Sequence, residues 1–285
     1  MSINGQSGTS GGSQRSREAP CRVCGQPAAP FFSKSISGKL EINYFKCPAC
    51  GHVQTEPPYW LEETYRNADF QRDVGMADRS VWTAQTTVAL AHRLGIGPDE
   101  SCLDWGAGTG LFVRLCRDYG LNFFYTDPYA QNVFARGFEW NTQEPQPAWA
   151  CVTAFEVAEH FPNPLADFDR LFRLAPRHLL ISTLLYQDQG PDWWYFGGDG
   201  QHVAFYTRRS LEVIARHHGY HLASDNSDLH LFSREPISDR LLESCRKSRV
   251  KLADRYRKKH GSRILRDFEQ VTRLLVEKEK ADSKA

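Results

Sequence analysis

The stretch Leu103-Asp104-Trp105-Gly106-Ala107-Gly108-Thr109-Gly110 decides how this chain is read. Cys102, Leu103 and Trp105 are apolar and follow Gly97-Pro98, a pair that stops a preceding helix, so they form a short buried strand. The backbone must then turn sharply and admit a ligand against main-chain atoms. Three glycines within five residues permit both, because glycine lacks a Cβ and tolerates positive φ. Leu111, Phe112, Leu115 and Cys116 recur at helical spacing as far as Tyr119, so the turn feeds a helix whose N-terminal amides point back at the loop.

Downstream, Leu121 to Thr126 forms a second apolar run ending in Asp127, where a carboxylate can accept hydrogen bonds from two ribose hydroxyls. The glycine spacing is G-x-G-x-G, not the G-x-G-x-x-G of dinucleotide sites, and Asp104 precedes it in the strand end. With these residues the chain resembles the class I methyltransferases that use S-adenosylmethionine (SAM). The resemblance implies an α/β fold with a seven-stranded Rossmann-like sheet whose last strand is antiparallel. It also implies cofactor binding by Asp104, Gly106, Gly108, Gly110, Asp127 and Phe155. A generic nucleotide-binding Rossmann half is the alternative reading.

A second match follows. Trp149 to Phe155 is an apolar run fit for a strand buried on both faces. It leads into Glu156-Val157-Ala158-Glu159-His160-Phe161, similar to the E-V-x-E-H segment of many small-molecule SAM methyltransferases. There the loop borders the methionine end of the cofactor and the acceptor pocket. The structural alternatives are that Glu159 caps a helix near Pro162 and Pro164, and that His160 only hydrogen-bonds within the fold. A weaker third strand is expected at Phe138 to Trp140 and a fifth at His178 to Tyr186. Helices are expected at Arg79 to Leu94, Leu165 to Leu174 and Ser210 to His218, with closing strands at Tyr220 to Ser224 and Leu229 to Ser233.

Between the fifth strand and His202 lies Gln187 to Gly200, with Trp193, Trp194, Tyr195, Phe196 and four glycines. Its position overhangs the strand C-termini, where acceptors bind in open α/β sheets, and its rings read as a lid or platform for a flat or sugar-like acceptor. Gln201-His202-Val203-Ala204-Phe205-Tyr206-Thr207 resembles the H-x-x-x-[FY]-[ST] segment of zinc-bearing sugar C-methyltransferases, where the histidine adjoins the acceptor. Those enzymes carry a tyrosine and a glutamate where this chain has Asp199 and Gln201, a departure that counts against carbon methylation. A histidine near neutral pKa suits proton removal, so His202 is the leading catalytic base, followed by His160 and Glu156.

Upstream, Cys21-Arg22-Val23-Cys24-Gly25 and Cys47-Pro48-Ala49-Cys50-Gly51 are two C-x-x-C-G knuckles separated by 22 residues. Four thiolates in two tight turns form the closed tetrahedral shell that Zn²⁺ prefers, so Cys21, Cys24, Cys47 and Cys50 are expected to hold a structural zinc. His52 reads as a substitute ligand or, more simply, a solvated neighbour. Cys102, Cys116, Cys151 and Cys245 fall on apolar segments and read as small buried hydrophobes. Tyr65, among aromatics just before the cofactor domain, is either a cofactor cap or core.

The chain divides into a Gly/Ser-rich tail at 1–17, expected to be disordered, a zinc module at 18–56, a methyltransferase domain at 57–235 and a helical extension at 236–285. A net charge of +1 gives no bulk attraction to nucleic acid or membrane, and no apolar run is long enough to cross a bilayer. The tail lacks the apolar core of a secretory signal, so a cytoplasmic location is expected. Arg246 to Arg263 holds nine basic residues against the single acid Asp254. Its apolar side is Leu242, Cys245, Leu252 and Tyr256, so it reads as a solvated helix face or as a contact for RNA or an anionic surface. Ile264, Phe268, Val271 and Leu275 then repeat at heptad-like spacing, as in a helix docked on its own domain or on a second subunit in a homodimer. The expected activity is methyl transfer to a small acceptor, a sugar or glycan intermediate. The alternatives are an RNA methyltransferase using the zinc module and basic helix, and a non-catalytic interaction protein on the same fold.

Overall fold

The computed structural model describes residues 18–36, 38, 40–66, 74–140, 145–197 and 200–283. The proposed disordered tail, the Tyr65 side chain and Asp199 lie outside the described residues.

The main sheet is built from β5 (Ser101–Trp105), β6 (Asn122–Thr126), β7 (Trp149–Phe155), β8 (His178–Ser182), β10 (His221–Ser224) and β11 (Leu229–Ser233) in the order β10-β11-β8-β7-β5-β6. β5, β6, β7 and β8 are parallel to one another, and β11 runs antiparallel to β8 and β10. The residues of β7, β8 and β11 are buried almost without a break, as expected of strands covered on both faces. Helices α2 (Met76–Leu94), α3 (Leu111–Asp118), α4 (Pro164–Arg173) and α5 (Arg208–His217) supply that cover. α5 begins with a capping box in which Thr207 and Ser210 satisfy each other's backbone amides. The sequence reverses direction across the sheet between β5 and its neighbours β6 and β7, which opens a crevice at the strand C-termini.

The expected third strand at Phe138 to Trp140 is reduced to one bridge, Glu139 pairing parallel with Tyr125, so the sheet has six strands. Phe138 turns inward instead and lies under the Arg117 guanidinium, 3.6 Å from its ring centre. α8 (Ile264–Asp282) reaches this same segment: Asp267 receives paired hydrogen bonds from Arg117, and Gln270 donates to the Gly137 carbonyl. The fifth strand likewise stops at Ser182, before the expected Tyr186, because Thr183 and Leu185 bond to the turn at Ser227 and Asp228.

A second sheet, β1-β2-β3-β4-β9, carries the cysteine knuckles: β1 (Ala19–Pro20), β2 (Pro27–Ile36), β3 (Leu40–Lys46), β4 (Val53–Thr55) and β9 (Ala204–Phe205). β9 comes from the far side of the chain, directly after His202, so this sheet is shared between the N-terminal module and the methyltransferase segment. The aromatic loop is also part of this union. Tyr195 and Phe196 are buried against Phe32, Tyr44 and Phe205, while Trp194 is 71% exposed. The reading of the whole loop as a lid is therefore corrected: most of its rings form a core that fastens the two parts together.

The basic segment forms α7 (Arg249–His260) after α6 (Asp239–Lys247). Leu242, Cys245, Leu252 and Tyr256 are buried, as the apolar pattern predicts. Of its cations, Arg246 binds Asp225 and Asp228, and Arg263 donates to the Pro98 carbonyl. No helix among the described residues is long and apolar enough to cross a membrane.

Candidate active site

The glycine loop leaves β5 with Gly106, Gly108 and Gly110 all at positive φ, of 72°, 55° and 81°. At Gly106 a Cβ would stand 2.8 Å from Val157, so glycine is required there by the approach of the loop after β7. The Gly106 and Ala107 amides donate to the Thr126 carbonyl, which ties the loop to the tip of β6. Asp127 follows at that tip. Its Oδ2 accepts from the Gly108 amide at 2.9 Å, and its Oδ1 accepts from the Tyr129 and Ala130 amides at 2.8 Å. A carboxylate has roughly four acceptor sites. Three are used by the two loops, so a diol at this position competes for Asp127 or takes the remaining lone pair.

Asp104 is buried in the sheet, where its Oδ1 accepts from the Thr153 hydroxyl at 2.6 Å. Burial pushes its pKa up to about 7. It braces β5 against β7 beneath the loop. Phe155, at the end of β7, packs edge-on against Phe112 of α3.

Glu156 has φ of 53°, an uncommon conformation for a residue other than glycine. It is stabilised by Ser182, whose hydroxyl accepts from the Glu156 amide at 2.9 Å and donates to its Oε1 at 2.6 Å. Burial, then the charge of Glu159, raises the Glu156 pKa to about 7.

His160 and His202 are 42 residues from each other in sequence, yet their ring centres stand 5.0 Å apart. His202 Nδ1 lies 3.0 Å from the Tyr195 carbonyl and His160 Nδ1 lies 3.1 Å from the Gln201 carbonyl. A carbonyl only accepts, so each Nδ1 is assigned the proton and each Nε2 the lone pair. Burial, then the neighbouring His160, pushes the His202 pKa down to about 3, and burial lowers that of His160. Glu159, for which a helix cap was the structural alternative, is a buried member of this cluster, with its pKa raised to about 7 by burial. The Val203 amide donates to the Glu159 carbonyl at 2.8 Å, and this backbone bond brings the two segments together. The sequence reading missed Glu159 as a site residue, although its place beside His160 in the E-V-x-E-H segment was visible.

The four knuckle cysteines converge. Cys21 Sγ is 3.6 Å from Cys50 Sγ, and Cys24 Sγ is 3.5 Å from Cys47 Sγ. A tetrahedron of zinc–sulfur bonds requires sulfurs about 3.8 Å apart, so the quartet fits the ion. Both turns close identically: Gly25 and Gly51 lie at positive φ and donate to the Cys21 and Cys47 carbonyls. A hydrogen bond from Cys50 favours the Cys21 thiolate and lowers its pKa. His52 is not solvated: it is fully buried, with its ring 5.1 Å from that of Tyr206. The module reaches the active site through Arg22, which donates to the Pro162 carbonyl at 2.6 Å and also to that of Thr55. Thr207 closes the contact by donating to the Cys50 carbonyl at 2.6 Å.

This fold, with its glycine loop and acidic strand tip, defines a methyltransferase. A family model described as a methyltransferase domain matches residues 79–224, just over half of the chain, and the chain belongs to that family. No curated protein sequence matches it. Among solved structures it is similar to magnesium protoporphyrin IX methyltransferase from Synechocystis PCC 6803 with bound SAH, at 16% identity over 62% of this chain and 95% of that one, with a TM-score of 0.42. An O-methyltransferase family protein from Burkholderia thailandensis is 16% identical over 62% of this chain and 63% of its own, with a TM-score of 0.43. A small RNA methyltransferase is 18% identical over 54% of this chain and 25% of its own, with a TM-score of 0.37.

Proposed function

We propose that this enzyme transfers the methyl group of SAM to a hydroxyl of a small acceptor, a sugar or glycan intermediate. The observation that carries the reading is the meeting of two walls at the strand C-termini, where Val157 of one leaves no room for a Cβ on Gly106 of the other. One wall is the glycine loop with Asp127; the other is Glu156, His160 and His202. The sulfonium methyl is already activated, so the protein's work is alignment and removal of one proton. Glu156, with a pKa near 7, and the lone pair of His202 are the groups available for that proton. Neutral His202 accepts weakly because burial opposes its charge, so any acid limb that it causes lies well below neutrality.

The rival RNA reading needs α7 and the site to act together. The C-terminal half of α7 instead sits at the opposite end of the strands, where Tyr256 donates to the Ile96 carbonyl just before β5 begins. A strand of β5's length separates the two ends by roughly 17 Å. Structural zinc at Cys21, Cys24, Cys47 and Cys50 would hold the shared sheet together, and its closed shell leaves no position for chemistry. The outer face of α8, with Leu265 79% and Phe268 69% exposed, is the surface proposed for a homodimer.

Incubation of the purified protein with methyl-labelled SAM and fractionated cell extract tests the acceptor class. Label in glycan or sugar fractions supports the reading, and label in RNA alone replaces it. Light scattering of Phe268→Glu tests the dimer, with a monomer expected; an unchanged assembly removes α8 from the interface.

A further inference from the structure

Among the described residues, three groups of His, Cys, Asp and Glu converge closely enough to hold an ion: the cysteine quartet, Asp169 with His217 and His218, and Glu159 with His160 and His202. In the last group one ligand atom from each residue lies within 4.8 Å of the others. We propose that Glu159, His160 and His202 form a second metal site, taking a divalent transition ion of the Zn²⁺ or Co²⁺ class.

The preparation of the ligands supports this. Nδ1 of each imidazole is committed to a backbone carbonyl, of Tyr195 and of Gln201, which fixes the tautomer and aims the Nε2 lone pair as in known histidine metal ligands. Glu159 is 1% exposed, and its Oε2 has no hydrogen-bond partner among the described residues. An unsatisfied buried carboxylate oxygen is costly, and a cation satisfies it. Two imidazoles and one carboxylate form a donor set that suits such ions and leaves positions open for water or an acceptor oxygen. Metal–donor bonds of about 2.0 to 2.1 Å put neighbouring donors roughly 3 to 3.5 Å apart. From separations within 4.8 Å the donors therefore close by at most roughly 1.5 Å on the ion, a rotamer-scale adjustment.

With the ion bound, His202 is a ligand that helps seat an acceptor oxygen, and Glu156 is left as the base. The exposed group is a poorer candidate, since His217 lies at the surface and Asp169 is partly exposed.

The test uses the full chain, stripped of metal under reducing conditions and titrated with Co²⁺ and then Zn²⁺, with metal counted by elemental analysis and binding read by visible absorption. The wild type is expected to take two equivalents. The first should show intense thiolate charge-transfer bands, and the second only weaker ligand-field bands of a nitrogen and oxygen site. Glu159→Gln and His202→Ala should each take one equivalent and keep the thiolate bands, which also reports that they fold. His217→Ala should still take two. A wild type that takes only one equivalent, a His202→Ala protein that keeps both, or loss of the second equivalent in His217→Ala overturns the assignment. Because the readout is metal content, failure here is separate from failure of the methyl-transfer reading, which labelled SAM decides.

Discussion

On one side of the site, a single run of chain from Leu103 to Ala130 supplies the glycine loop, the strand tip and Asp127, all joined by hydrogen bonds within that run. On the other, the Glu159 carbonyl receives the Val203 amide, Arg22 grips Pro162, and Val53 and Gln54 of β4 pair with Phe205 and Ala204 of β9. The first wall is local and backbone-made. The second depends on segments far apart in the chain and on a cysteine quartet outside it. A local wall survives damage elsewhere, whereas an assembled wall fails when any supporting segment is loosened.

The strongest way to break this comparison is to remove the knuckles. Binding of structural zinc is worth on the order of 10 kcal/mol to small metal-held modules. Cys47→Ser combined with Cys50→Ser should therefore lose zinc and abolish turnover, while calorimetry still finds SAM binding within about tenfold of the wild type. Loss of SAM binding to the same degree as turnover would show that the two walls are one unit.

His202→Ala acts on the assembled wall alone. Turnover should fall by about 10² to 10⁴ whether His202 takes the proton itself or seats the acceptor oxygen beside Glu156, with SAM affinity nearly unchanged. Near-normal turnover in a steady-state assay would remove His202 from the mechanism and bring His160 forward.

Asp104 sharpens the comparison from beneath the local wall. Between pH 4 and 7 the folded chain keeps a proton on this buried carboxyl that the unfolded chain releases. The stabilisation is thus complete below about pH 4 and is lost as pH rises through about 7. Asp104→Asn should flatten this slope in denaturant titrations, by on the order of a few kcal/mol across the window. An identical slope in both proteins would mean that Asp104 is ionised in the fold.

Asp127→Ala should have the smallest effect, weakening SAM by about 1.5 to 3 kcal/mol for a lost charge-assisted hydrogen bond. Since Asp127 also holds the Gly108, Tyr129 and Ala130 amides, Asp127→Asn should recover part of the loss. Unaltered affinity in both variants would place the ribose elsewhere.

What could be read without coordinates was whatever short-range rules specify. The glycine loop announces itself because positive φ at three positions close together demands glycine. The strands at 101–105, 149–155 and 229–233 show as apolar runs, and the knuckles as paired C-x-x-C-G turns. The third strand, the lid and the solvated His52 were misread because each depends on what packs against it: Arg117 on Phe138, Phe32 and Tyr44 on the aromatic loop, Tyr206 over His52. Sequence alone placed His160 and His202 near an acceptor by resemblance, and no periodicity links them to each other or to Glu159. Only tertiary structure joins them, through a backbone bond from Val203 to Glu159 and the pairing of β9 with β4. Such contacts are selected by the fit of whole faces across long loops, which no window of neighbouring residues contains.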